Sequence, residues 1–196
     1  MRYSAYIWDL GGTLLDNYAG SSRAFVRTLA AHGIEATYDD VHRALRVSTA
    51  HAVATLVPGV PGFLAEYKRA EAVELATPML FDGAREVLEA VVAAGGANFL
   101  VSHRDRQVLT LLERTGIAHL FTEVLTADSG FPRKPDPASI RYLVDTYGLT
   151  DCVVVGDRPL DVEAARAAGV DAVFFADGET CPRATRSISR LRDLLD

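Results

Sequence analysis

Lysine is nearly missing from this chain: of its 20 basic residues only Lys68 and Lys134 are lysines. A lysine inside a motif is therefore a rare event here, and Lys134 gains weight from that. Clustered positive charge is missing too. With a net charge of −6, a pI near 5.4 and no basic stripe, the chain is not expected to bind nucleic acid. No apolar run approaches the roughly 20 residues that span a bilayer. The start, Met1 to Asp9, reaches an acid before any signal-length apolar stretch. The expectation is a cytoplasmic protein with no membrane partner. The two cysteines, Cys152 in an apolar run and Cys181 in a polar tail, form neither a disulfide framework nor a C-x-x-C metal site. Two common phosphate-binding designs are also missing, since no G-x-x-x-x-G-K-[ST] occurs and no G-x-G-x-x-G follows a strand. There is no internal repeat and no low-complexity segment.

What is present reads as an ordinary globular composition, 49% apolar and 23% charged over 196 residues. Five short apolar runs without clean alternation predict strands covered on both faces: Ser4 to Trp8, Ala97 to Val101, Glu123 to Thr126, Cys152 to Val155 and Ala172 to Phe175. Helices fall between the later runs. Asp82 to Ala94 stops before Gly95, a second opens at Asp136-Pro137 and stops at Gly148, and a third runs from Pro159 to before Gly169. The pattern predicts an α/β fold, a doubly wound, mainly parallel Rossmann-like sheet. Asp16 to Thr77 breaks the rhythm and reads as consecutive helices. Ser21 or Ser22 is a cap for the first, ending at Gly33, Thr37 caps the next, and Pro61 starts a third. The expected division is a core of residues 1–15 and 78–196 with a helical lid, 16–77, inserted after the first strand. The tail after Gly178 is expected to end in a packing helix with Ile188, Leu191, Leu194 and Leu195.

In a parallel sheet all strand carboxyl ends share one edge, where residues remote in sequence converge. Asp9-Leu10-Gly11-Gly12-Thr13 follows the first strand and Ser102 the second. Arg133-Lys134-Pro135 lies after the third, and Gly156-Asp157-Arg158-Pro159-Leu160-Asp161 after the fourth. Asp9, Asp157 and Asp161 would bring up to three carboxylates together, a repulsive set unless a cation is bound. Mg²⁺ suits such hard oxygen donors and leaves positions for phosphate. Ser102 offers a hydroxyl, backed by N–H groups expected to open a helix, and Lys134 offers a charge to hold phosphate. One Asp9 oxygen is left to act as nucleophile. Each residue alone has a structural explanation as a turn, surface or first-turn residue. Four such motifs in order at strand ends point to one shared site.

These motifs resemble those of the haloacid dehalogenase-like hydrolase superfamily, in order and over nearly the whole chain. The likeness extends to Leu80-Phe81-Asp82-Gly83-Ala84 and to a helical cap after the first motif, as in the phosphoglycolate phosphatase-like branch. The resemblance implies an aspartyl-phosphate on Asp9 and phosphate held by Ser102 and Lys134. It implies Mg²⁺ held by Asp9, the carbonyl of residue 11 and Asp157, with Asp161 a ligand or a supporting partner. Asp9, Ser102 and Lys134 are thus the expected catalytic set. Gly12, Thr13, Ser102, His103 and Lys134 are the expected contacts to a small phosphorylated metabolite.

Phosphatases of this superfamily usually carry a second aspartate where this chain has Gly11. That group protonates the leaving alkoxide, and general acid–base catalysis is typically worth about 10²–10⁴-fold. Three readings follow. One is a phosphatase restricted to good leaving groups or using another acid, with His103 and then Asp16 as candidates. Another is a sensor or partner that binds a phosphorylated ligand and seldom turns it over. The third, ranked lower, moves the chemistry to a C–halogen or C–P bond. Retained Asp157 and Asp161 argue against the former, and Lys68, on a solvated-looking helix face, is the only candidate amine for the latter. In the lid, Arg43, Arg46, His51 and Tyr67 are candidates to face substrate.

Overall fold

In the computed structural model, which describes residues 1–196, the chain alternates strands and helices after an inserted helical block. The strands are β1 (Ala5–Trp8), β2 (Ala97–Val101), β3 (Glu123–Leu125), β4 (Cys152–Gly156), β5 (Asp171–Phe175) and β6 (Arg186–Ile188). They form one sheet in the order β3-β2-β1-β4-β5-β6, every neighbouring pair parallel. The order reverses beside β1, the first strand, which lies between β2 and β4. In doubly wound sheets ligands bind outside the strand carboxyl ends at such a switch point.

The helices are α1 (Tyr18–Ala31), α2 (Tyr38–Val47), α3 (Thr49–Leu56) and α4 (Phe63–Glu74) in the insertion. Then come α5 (Ala84–Ala93), α6 (Gln107–Arg114), α7 (Ala138–Tyr147) and α8 (Pro159–Ala168). β1 is buried along its whole length, as a central strand of a two-faced sheet must be. On one face Ile7, Phe99, Val101 and Val154 pack with Ile140 and Leu143 of α7 and Val162 and Ala165 of α8. On the other, Tyr6 stacks on Trp8 with ring centroids 5.5 Å apart. There Asn98, fully buried, accepts from Trp8 Nε1 at 2.9 Å and donates to Leu88 O at 3.0 Å and Leu120 O at 3.2 Å. This one amide ties the strand that carries Asp9 to β2 and α5.

The chain divides into two compact units, residues 1–15 with 80–196, and residues 16–79. The return crossing lies two residues past the expected 77/78, because Asp16 N–H donates to Met79 O and draws Met79 into the inserted unit. Within that unit Phe25, Leu29, Val41, Leu45, Phe63 and Tyr67 form a core of their own. Thr37 caps α2 by accepting from Asp40 N–H, as its sequence suggested. Ser21 and Ser22 are not caps. They lie inside α1, buried, because Ser21 Oγ donates to the buried Glu71 carboxylate at 2.7 Å, while Asn17 takes the cap position. α3 and α4 also differ from expectation: α3 follows α2 directly, with Ser48 capping it, and α4 starts after Gly62 rather than at Pro61.

Two further expectations fail outside the insertion. The tail is not a helix: Ile188 belongs to β6, and only Leu191–Leu194 form a short 3₁₀ turn. Three residues are too few for apolar periodicity to reveal a strand. The helix after Ser102 begins only at Gln107, so Ser102 does not sit at its N-terminus. No helix is long and apolar enough to cross a membrane.

Replacing Asn98 by Leu leaves the buried Trp8 N–H without its acceptor and takes a donor from the Leu88 and Leu120 carbonyls. It is expected to destabilise the fold by about 2–4 kcal/mol in urea unfolding. A loss below about 0.5 kcal/mol would show that Asn98 does not fasten β1.

Candidate active site

The turn after β1 is built for close approach. Gly12 takes a φ of 88°, and its N–H donates to Leu15 O at 2.9 Å while Leu15 N–H returns to Leu10 O at 2.8 Å. Only glycine enters that left-handed conformation without strain. The tight loop buries Asp9 and Thr13, and the Thr13 hydroxyl donates to Asp157 Oδ1 at 3.1 Å. Asp9 is further fixed by its own N–H, which donates to Val155 O at 2.9 Å.

Lys134 enters from the loop between β3 and α7, with a cis peptide to Pro135. Its ammonium lies 2.5 Å from Asp9 Oδ1 and 2.6 Å from Asp161 Oδ1, and donates to Val101 O at 3.1 Å. The Asp161 contact is an ion pair by distance rather than an aligned hydrogen bond, since Oδ1 has no donor in hydrogen-bond geometry. Asp161 Oδ2 accepts from the Arg158 N–H at 3.1 Å, closing the first turn of α8. Asp161 reaches this place only because Gly156 lacks a side chain: a Cβ there would lie 2.4 Å from the Asp161 Cβ. Oxygens of Asp9, Asp157 and Asp161 all lie within 4.8 Å of one another, and all three residues are buried.

Burial pushes the Asp9 carboxyl up, and the Lys134 ammonium pulls it back without reversing the shift. For Lys134 burial works against the charged form, but Asp161 and Asp9 outweigh it and the pKa is raised. The lysine therefore stays charged, and the pocket demands further positive charge before Asp9 ionises readily. Arg158 supplies some of it. Its Nη2 is 3.9 Å from Asp9 Oδ1 and its Nε 4.0 Å from Asp161 Oδ2.

The structure thus gathers Asp9, Thr13, Lys134, Asp157 and Asp161 directly, with Gly11 and Gly12 in the Asp9 turn. Ser102 is adjacent through Val101, and its Oγ accepts from Arg104 N–H at 3.2 Å. Beside it Val101, His103, Thr126, Phe131 and Arg133 line a cavity of about 280 Å³. His103 Nε2 accepts from the Lys134 backbone N–H at 2.8 Å, so the ring proton sits on Nδ1. Burial, with Lys134 next, lowers the His103 pKa to about 4. A ring in that state is a poor proton reservoir near neutrality, contrary to its candidacy as the missing acid. Asp16, the other candidate, lies in the inserted unit. There Tyr67 is fully buried with its hydroxyl donating to Glu71, which removes it as a surface residue. Lys68 pairs with Glu71 at 2.7 Å, Arg43 pairs with Asp40, His51 is exposed and Arg46 half-buried.

Two residues of the fourth motif matter here although the sequence alone assigns them no role. Arg158 sits between an acid at a strand end and a proline opening a helix, a place that forces it beside the site. Gly156, whose backbone is not left-handed, signals close approach rather than a turn.

The His103 shift carries a pH dependence. Its folded pKa lies below the ordinary 6.5, so the neutral ring favours the fold and protonation favours the unfolded chain. That contribution is complete above pH 6.5 and is lost as the pH falls toward about 4. Thermal melting of the parent should therefore drop more steeply across this window than that of His103→Gln, whose amide oxygen accepts without titrating. Parallel profiles would contradict the assignment.

The family model of haloacid dehalogenase-like hydrolases matches residues 6–175, a span holding all four motifs. Phosphoglycolate phosphatase of Rhodospirillum rubrum is 32% identical over 197 residues, covering 89% of this chain and 80% of that protein. Phosphoglycolate phosphatase of Xylella fastidiosa is 30% identical over 177 residues, covering 84% and 76%. The crystal structure of a hydrolase from Streptococcus pneumoniae covers both chains fully at 50% identity with a TM-score of 0.79. With its motifs meeting at one sheet edge and the match running from β1 through β5, the chain belongs to the haloacid dehalogenase-like hydrolases.

Proposed function

We propose that the chain is a Mg²⁺-dependent phosphatase of small phosphorylated metabolites, with Asp9 as nucleophile. The observation that carries this reading is the buried Lys134 ammonium between Asp9 and Asp161, with Asp157 in the same cluster. A purely structural core has no reason to bury three carboxylates against so little positive charge. The donor set fits the ion. Asp9 and Asp157 offer hard carboxylate oxygens, and the Gly11 carbonyl is the expected main-chain ligand. Asp161 already engages Lys134 and the Arg158 N–H, which favours it as a supporting partner. Bound Mg²⁺ would neutralise phosphoryl oxygens and bring the Asp9 carboxyl down toward its ionised form.

In this reading an Asp9 oxygen attacks phosphorus. The new O–P bond forms as the P–O bond to the leaving group breaks, and the electron pair departs on the leaving oxygen. Lys134 and the Ser102 hydroxyl hold the phosphoryl oxygens in line, and water then releases phosphate from Asp9. The helical unit, residues 16–79, is the proposed lid.

Nothing at position 11 protonates the departing oxygen, and His103 is held in the neutral form. Acyl, enol and aryl phosphates, whose leaving groups need no proton, are therefore the favoured substrates. The relatives named phosphoglycolate phosphatase support a small phosphorylated acid. Phosphoglycolate itself is an alkyl ester, the class that Gly11 penalises most. The same residue favours the second reading, a phosphometabolite-binding protein with little turnover.

A panel of acyl, aryl and alkyl phosphates with and without Mg²⁺ separates the two. Metal-dependent turnover of the acyl and aryl members, lost in Asp9→Asn, is the expected result. Gly11→Asp should raise alkyl ester hydrolysis by roughly 10²-fold or more. Gly11 has no left-handed backbone, so aspartate enters without that strain. Tight binding with no turnover of any class would favour the binding protein, and no gain from Gly11→Asp would sink the missing-acid argument.

A further inference from the structure

We propose that Arg158 is a second phosphate-binding residue, whose charge makes the metal-loaded pocket net positive toward an incoming phosphoryl dianion. The proposal rests on the Mg²⁺-phosphatase reading and adds to it a residue that none of the motifs predicts.

Arg158 is held in place from both sides. Its N–H is gripped by Asp161 Oδ2, and Pro159 fixes the next residue as the first of α8, which leaves Arg158 in an extended conformation. The side chain is only 19% exposed and reaches to 3.9 Å from Asp9 Oδ1 and 4.0 Å from Asp161 Oδ2. A nucleophile and its target atom approach to about 3–3.5 Å before reaction, so a guanidinium at this range reaches the non-bridging oxygens of a phosphoryl group poised above Asp9. The planar fork of arginine matches such oxygens with two N–H donors.

Charge counting gives the residue its purpose. With all three carboxylates ionised, Asp9, Asp157 and Asp161 against Lys134 and Arg158 give the pocket one net negative charge. A divalent cation turns this into one net positive charge, and a phosphoryl dianion is attracted. Without Arg158 the loaded pocket is formally neutral, and the dianion is attracted less strongly.

The two ligands should therefore respond in opposite directions. Isothermal titration of the full chain with Mg²⁺ alone, and with inorganic phosphate in the presence of Mg²⁺, is run on the parent, Arg158→Gln and Arg158→Lys. In Arg158→Gln phosphate binding is expected to weaken at least about tenfold, the scale of losing one charge a few ångströms away, while Mg²⁺ binding tightens. Arg158→Lys keeps the charge but not the fork and should fall between. Across aryl phosphates of different leaving-group pKa, kcat/KM of Arg158→Gln should drop by one common factor, since the contact is to non-bridging oxygens. Thermal melting checks that the variants fold. Phosphate affinity within twofold of the parent, or loss of both ligands together in a folded variant, overturns the role of Arg158. A parent that binds neither Mg²⁺ nor phosphate sinks the underlying functional reading, and this proposal with it.

Discussion

The burial of the Lys134 ammonium against Asp9 and Asp161 is the constraint on which the rest of the site depends. An ammonium out of water is costly unless partnered, and removing one partner of such a set is far more destabilising than never building it. The three contacts of Lys134 bind together segments remote in the chain: the turn after β1, the end of β2 and the first turn of α8. Gly156 must stay without a side chain so that Asp161 can lean toward the lysine. His103 holds the lysine's own backbone N–H. The acidic cluster is therefore a property of the fold, not of one loop.

That arrangement also sets the chemistry. A carboxylate as buried as Asp9 is a poor anion by itself, and the lysine compensates for only part of the negative charge around it. A pocket short of positive charge suits a divalent cation and a phosphate ester. In the proposed reading, glycine at position 11 leaves the pocket able to attack phosphorus without a group there to protonate what leaves, which would favour activated phosphates.

Much of this was legible in the sequence because parallel sheets make strand ends predictable. Continuous apolar runs such as Ala97–Val101 and Cys152–Gly156 mark the strands, and the acids, serine and lysine in the loops that follow strands mark the candidate site. What stayed hidden depended on partners remote in the chain. Ser21 is a fine cap by local rules, yet it is buried because Glu71, far along the chain, needs a donor. β6 was unreadable because three residues carry no period, and its pairing with β5 decides its state. Arg158 carries no local signal, because arginine is common here and a charge after an acid resembles solvated surface. Only the approach of Asp9 from another strand makes it part of the site.

The central claim is that these segments build a single metal-assisted phosphoryl site on Asp9. Beryllofluoride, which bonds to an aspartate oxygen as a phosphoryl mimic, tests it most directly by ¹⁹F NMR. One equivalent should bind tightly to the parent only when Mg²⁺ is present and not at all to Asp9→Asn. Binding that ignores Mg²⁺, or that survives in Asp9→Asn, would contradict the account.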